Sequence, residues 1–561
     1  MNKEAVTHHN GVLVRKCLNP IGMIALVALW MTVAVNSVFW STVWRAIDGF
    51  NNGNPLFLLS LPVFVFAWHF ILLWALCWGR LLRPMLVLLI VMASVASYFI
   101  SRYGIVIDAS MLMNVLQTDP AEARDLLTPG LAFWLLATSV LPGLVIYRLP
   151  LTSPLRQRQA IWRLGSLALV VAMVGVILAT QYQSYASLLR NNREVRLILV
   201  PSNVLGAVHS YAKRAFHTSE PFVQVGTDAH QRVEVGATDR HKLMVVVVGE
   251  TARAMNFSLN GYDRETNPEL ALRQVLSFKK VSSCGTATAI SVPCMFQDLG
   301  RKAWKNQYAD KREGLLDVLQ HAGISVLWRD NNSGCKGACD RVPTDDLSHA
   351  SVAQICNADG CFDEVLLSGL QNYLDTRNGD TVVVLHMKGS HGPAYYKRYP
   401  PAFEKFKPVC TDSQLDQCGN QSIRNAYDNT LLYSDHVLAQ IIDLLKENAS
   451  RFDSAMLYVS DHGESLGEKG VYLHGLPYAL APEEQTHVPM ILWMSQQLAA
   501  RRGISLSCMD QQAGATLSHD NLFHSVLGIM SVQTAIYREK LDIFQPCEAN
   551  HIAGVETSAD N

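Results

Sequence analysis

The sequence predicts an N-terminal five-helix transmembrane bundle followed by an α/β domain with a mostly parallel, helix-flanked sheet. Three observations carry this. Apolar stretches near the ~20 residues needed to cross a bilayer are confined to the first third of the chain. Short Val/Ile/Leu runs alternate with helix-compatible stretches after residue 242. Ten of the twelve cysteines lie in that second part.

A chain of 561 residues is long for one domain. Its formal net charge of -1, without a basic run, gives no footing for a nucleic-acid partner. The predicted spans lie near 22–40, 56–78, 84–100, 131–147 and 164–180. The first has Arg15 and Lys16 before it but no clear small-residue cleavage site, and reads as a span rather than a signal peptide. Flanking charge orients the bundle. Lys3, Arg15 and Lys16, then Arg80 and Arg83, then Arg148, Arg156, Arg158 and Arg163 mark one side as cytoplasmic. The N-terminus is then inside, and five spans place everything after Thr180 outside.

The expected divisions are a membrane domain over 1–180 with an outer loop at 101–130, a bridging segment and linker over 181–242, and a globular domain over 243–561. The outer loop holds a polar, helix-compatible piece with Asn114, Thr118 and Glu122, which composition alone reads as solvated. After the last span, Tyr182, Tyr185 and Leu189 interleave with Arg190, Arg193 and Arg196, as in an interfacial segment. Cysteines test the orientation separately. Cys17 and Cys77 sit at ends predicted to be cytoplasmic. The others pair by proximity as Cys284/Cys294, Cys335/Cys339, Cys356/Cys361, Cys410/Cys418 and Cys508/Cys547, a disulfide framework suited to an oxidising compartment.

In the globular part, strands are predicted at 243–248, 324–328, 381–385, 455–459 and 488–493. Ligands gather at the carboxyl ends of such strands. Glu250 leaves the first run; Asp461, His462 and Glu464 leave the fourth; His391 follows the third, and His474 lies beyond. Each alone reads as a cap or a hydrogen-bonded core residue. Together, carboxylates and imidazoles at several strand ends predict a zinc site. A hydroxyl-rich turn between Cys284 and Cys294 offers Thr286, Thr288 and Ser291 as nucleophiles that a metal could activate. Spacing leaves the choice among the three open.

Glu250-Thr251-Ala252-Arg253, Cys284-Gly285-Thr286-Ala287-Thr288-Ala289, Trp328-Arg329-Asp330-Asn331-Asn332, His391-Gly392-Pro393-Ala394-Tyr395-Tyr396 and Ser460-Asp461-His462-Gly463-Glu464 together resemble the lipid A phosphoethanolamine transferases, which include enzymes of polymyxin resistance. The resemblance spans nearly the whole chain. It implies an alkaline-phosphatase-like domain in the periplasm, anchored in a bacterial inner membrane. It also implies zinc held by Glu250, Thr288, Asp461 and His462, with a second ion possible and Thr288 the nucleophile. By the same likeness, His391 and His474 bind substrate phosphate or the second zinc; on chemical grounds, either His391 or His474 is a candidate general acid for the leaving alcohol. Asn332 and Lys336 lie near the substrate head group, and Asn114, Thr118 and Glu122 at its membrane side. Phosphatidylethanolamine is the implied donor and lipid A or another lipopolysaccharide group the acceptor. A related phosphoglycerol transferase or a phosphodiesterase or sulfatase-like hydrolase is the alternative, although the Cys/Ser-x-Pro-x-Arg pattern of sulfatases is missing around Thr288. A catalytically inactive lipid receptor is the rival from a different class.

Overall fold

A computed structural model describes residues 18–48, 54–118, 120–152, 156–192, 194–217, 221–232, 239–305, 308–309 and 311–549. Cys17 lies outside them, as does the side chain of Glu122. The chain divides into two compact units: residues 1–101 with 129–205, and residues 102–128 with 206–561.

In the first unit, four helices are long and apolar enough to cross a membrane: Pro55–Leu76, Gly79–Tyr103, Pro129–Arg148 and Gln157–Ala186. The stretch expected as a single span at 22–40 is instead two helices, Pro20–Ala34 and Ser37–Ile47, bent by 61°. The count is therefore four, or up to five if the bent pair is one span. Asn36 explains the break. An asparagine side chain competes with helical backbone bonding. Here its amide donates to the Met31 and Val200 carbonyls, and its Oδ1 accepts the Val200 N–H. Between Leu136 and Val140 the third of these helices, Pro129–Arg148, widens into a π-turn. Pro142 has no N–H to offer the Thr138 carbonyl four residues back, and the Trp30 indole N–H donates to that oxygen instead. Arg163 is buried beneath the end of Pro55–Leu76, donating to the Trp74 and Cys77 carbonyls. A cation is favoured at such a carbonyl terminus.

The second unit is built on eight strands, numbered in chain order: β1 (His241–Gly249), β2 (Leu276–Ser282), β3 (Ser325–Asp330), β4 (Thr344–Asp346), β5 (Thr381–His386), β6 (Phe452–Ser460), β7 (His487–Met494) and β8 (Thr516–Ser518). They form one sheet in the order β8-β2-β7-β6-β1-β5-β3-β4. All five predicted strands are present. The sheet is mixed, because β7 runs antiparallel to both β2 and β6. Its apolar run had suggested a parallel strand. Burial on both faces produces such a run whichever way the strand points.

Side chains of β1 alternate between two cores. Met244, Val246 and Val248 join one cluster, and Leu243, Val245 and Val247 the other. The long helix Asn420–Glu447 covers the second face, burying Ile423, Leu431, Leu438 and Ile442. The five disulfides expected from proximity are all formed. Cys77 is buried and unpaired among the described residues.

Candidate metal centre and active site

Parallel pairing brings several carboxyl ends to one edge of the sheet. Gly249 pairs with Ser460, Val248 with His386, and His386 with Asp330. The next residues along β1 and β6 are therefore Glu250, Asp461 and His462, all fully buried. Their ligand atoms lie within 4.8 Å of one another. His462 Nε2 is 3.4 Å from Glu250 Oε1 and 3.3 Å from Asp461 Oδ2. Thr288, the first residue of helix Thr288–Met295, places Oγ1 3.1 Å and 3.2 Å from the Glu250 carboxylate oxygens and 3.4 Å from His462 Nε2.

Those separations suit a cation. Zinc bonds of about 2.0–2.1 Å in a tetrahedron put donor atoms about 3.3 Å apart. Asp461 Oδ1 accepts the backbone N–H groups of Thr251 and His462, whereas its buried Oδ2 has no hydrogen-bond partner. An orphaned buried carboxylate oxygen facing three other donors is the place an ion would complete. The His462 tautomer agrees. Its Nδ1–H donates to the Gly463 carbonyl, which leaves the Nε2 lone pair toward the cluster.

Electrostatics point the same way. Burial, then the Asp461 charge, raises Glu250 above the usual carboxylate range. Burial pushes Asp461 up to about 7. Burial, reinforced by His474, holds His462 down at about 4. This group is short of positive charge, and a divalent ion would supply it.

The three hydroxyls that spacing left open are now distinguishable. Thr286 Oγ1 donates to the Leu476 carbonyl, and Ser291 Oγ donates to the Asp461 carbonyl. Only Thr288 of the three points its hydroxyl at Glu250.

His391 and His474 stand together, their ring centroids 5.4 Å apart, and His474 lies 4.3 Å from the His462 ring. Glu464 Oε2 accepts from His474 Nδ1 at 2.8 Å, while Tyr395 donates to Glu464 Oε1 at 2.6 Å. Burial raises Glu464 to about 7. Asn332 donates to Glu250 Oε2 at 2.7 Å and to the Met387 carbonyl. Lys336 donates to the Ser333 carbonyl and to that of Gln117. Gln117 ends helix Ala109–Gln117, which carries Asn114 and is followed by Thr118, whose hydroxyl donates to the Asn114 carbonyl. This helix packs against Thr288–Met295, and a Cβ on Gly475 would meet Met111 at 2.7 Å. The segment containing Asn114 and Thr118 thus belongs to the same compact unit as Thr288.

Sequence reasoning passed over two supports. Asp330 and His386 form a buried pair at 2.9 Å, and His386 Nε2 faces the Asn332 amide. Despite burial, which alone would lower it, the Asp330 charge holds His386 above its ordinary value. Tyr395 lay inside a quoted motif, but nothing in its spacing singles out its hydroxyl.

A mixed sheet with a carboxylate–imidazole cluster and a helix-start hydroxyl at its strand ends defines a sulfatase-like hydrolase or transferase domain. The Sulfatase family model matches residues 242–532, and the Phosphoethanolamine transferase EptA/EptB model matches residues 65–216. Phosphoethanolamine transferase EptA of Escherichia coli K12 is 43% identical over 540 residues, covering 96% of this chain and 98% of its own. Phosphatidylethanolamine transferase Mcr-1 of Escherichia coli is 38% identical, covering 93% and 97%. The solved integral membrane lipooligosaccharide phosphoethanolamine transferase A of Neisseria meningitidis superposes with a TM-score of 0.90 at 37% identity, over 95% of this chain and 99% of that one. The chain belongs to the phosphoethanolamine transferase family.

Proposed function

We propose that this protein transfers phosphoethanolamine from phosphatidylethanolamine to lipid A or another lipopolysaccharide group, through a covalent phosphoethanolamine–Thr288 intermediate. The observation that carries it is the Thr288 hydroxyl within 3.4 Å of both Glu250 and His462, in a chain of this family. Glu250, Thr288, Asp461 and His462 would hold zinc, which when bound lowers the hydroxyl's pKa and offsets charge on the phosphoryl oxygens.

In the first step Thr288 Oγ attacks phosphorus, and the bond from phosphorus to the diacylglycerol oxygen breaks. The hydroxyl proton leaves toward Glu250, to which it already donates. The departing oxygen takes a proton from His474, whose Nδ1 is held by Glu464. In the second step an acceptor hydroxyl oxygen attacks phosphorus and gives its proton to His474, while the bond from phosphorus to Thr288 Oγ breaks and that oxygen takes back the proton held by Glu250. His391, Asn332 and Lys336 serve the head group and phosphate; Asn114, Thr118 and Glu122 serve the lipid side. The large domain works in the periplasm, with the N-terminus cytoplasmic.

Intact-protein mass spectrometry after incubation with phosphatidylethanolamine and zinc should show one phosphoethanolamine on the parental chain and none on Thr288→Ala. Full transfer to lipid A by Thr288→Ala would overturn the assignment.

A further inference from the structure

His519 lies far along the sequence from every motif above, just before the helix Asp520–Ile529, and nothing in its local pattern marks it out. It is fully buried. Its Nδ1 accepts the Cys284 backbone N–H at 3.0 Å, so that nitrogen carries no proton. Its Nε2–H then donates to the Ser460 carbonyl at 2.9 Å. Its own backbone N–H donates to the Ser282 carbonyl.

Ser460 is the last residue of β6 and directly precedes Asp461. Cys284 belongs to the turn that delivers Thr288. These two segments leave strands that are not neighbours, because β7 lies between β2 and β6. The imidazole therefore spans the start of β7 and ties the nucleophile turn to the metal-ligand strand. Ser291 runs a second tie beside it, accepting from the Gly285 N–H and donating to the Asp461 carbonyl.

We infer that His519 is a positioning residue that sets the register between Thr288 and the Asp461–His462 pair. It touches no reacting atom. Its effect is on the separations from Thr288 Oγ1 to the other donors, and errors of about 1 Å in such geometry cost on the order of a hundredfold in rate. A neutral ring with one acceptor and one donor is required, and a glutamine amide supplies the same pair.

The inference rests on the Thr288 reading, so one readout is chosen that needs no turnover. Full-length His519→Ala, His519→Gln and His519→Asn are compared with the parent by zinc affinity in chelator competition, by kcat and KM for phosphatidylethanolamine, and by unfolding midpoint. His519→Ala should bind zinc about tenfold more weakly and lose about a hundredfold in kcat with KM within about twofold. His519→Gln should recover most of both losses. His519→Asn, reaching only the Nδ1 position, should fall between. If His519→Ala does not accumulate, the Gln–Asn comparison carries the test. A lower unfolding midpoint with kcat and zinc affinity unchanged would reduce His519 to scaffolding and overturn the inference. So would glutamine behaving like alanine or asparagine. Retained transfer by Thr288→Ala would instead sink the Thr288 reading, and the zinc-affinity ratio would still report on the tie.

Discussion

Glu464 and Asp435 are both buried carboxyls that burial raises to about 7, yet they differ in what surrounds them. Glu464 is bracketed by Tyr395 and His474, whose hydroxyl and ring nitrogen both hydrogen-bond its carboxyl group. Glu464→Gln should lower kcat by about tenfold to a hundredfold, because a neutral amide replaces the carboxyl group that orients the His474 ring. Steady-state transfer with fluorescent phosphatidylethanolamine would measure it. Asp435 accepts the backbone N–H groups of Glu269 and Leu270. Its carboxyl ordinarily titrates near 3.8, so between about pH 4 and 7 the folded protein keeps a proton that the unfolded chain releases. That contribution is lost as pH rises through the window. Asp435→Asn should unfold near the parental midpoint at pH 4 and above it at pH 8, a divergence that calorimetry at the two pH values would detect. The clustering of Glu250, Asp461 and His462 was legible in sequence because all three lie just beyond apolar runs. Thr288 was not separable by spacing, since Thr286 and Ser291 differ from it only in the backbone carbonyls their hydroxyls reach.

Among elements, a strand was readable where both faces are buried and unreadable where they are not. Strand β2 carries Lys279 and Lys280 outward, which breaks its apolar run, and β4 and β8 are each three residues long. Direction was invisible for β7 because burial has no sense of polarity. The broken first span was also hidden, since hydropathy averages over the single Asn36 whose partner, Val200, lies far along the chain. Helix Ala109–Gln117 has its own dependence. It starts on Asp108, whose carboxylate accepts from Ser110 and Met111, and it meets Gly475 through Met111. Gly475 has φ +89, where a side chain is strained as well as crowded. Gly475→Ala should cost on the order of 1 kcal/mol in stability and raise KM for the lipid donor severalfold. The donor titration and the unfolding midpoint together check it.

At the scale of the whole molecule, orientation rests on charge flanking the spans and on ten cysteines paired in the second unit. Protease added to spheroplasts should therefore digest the large domain, while inside-out vesicles should protect it; the reverse pattern would overturn the orientation. Chelation is a second global test of the proposed zinc site. Chelation should abolish transfer and lower the unfolding midpoint, since an ion bound only by the folded state stabilises it by mass action. Zinc added back should restore both.

The division of the chain into 1–101 with 129–205, and 102–128 with 206–561, means that the second unit is discontinuous in sequence. The polypeptide passes between units three times, and the piece made first, 102–128, must wait for the remainder to be synthesised before its unit can close. A secreted fragment beginning at residue 206 would therefore be a folded body with one wall missing, not an independent enzyme. It should still take up zinc at Glu250, Asp461 and His462, yet handle lipid donors poorly. Supplying the 102–128 peptide in trans should recover part of that loss.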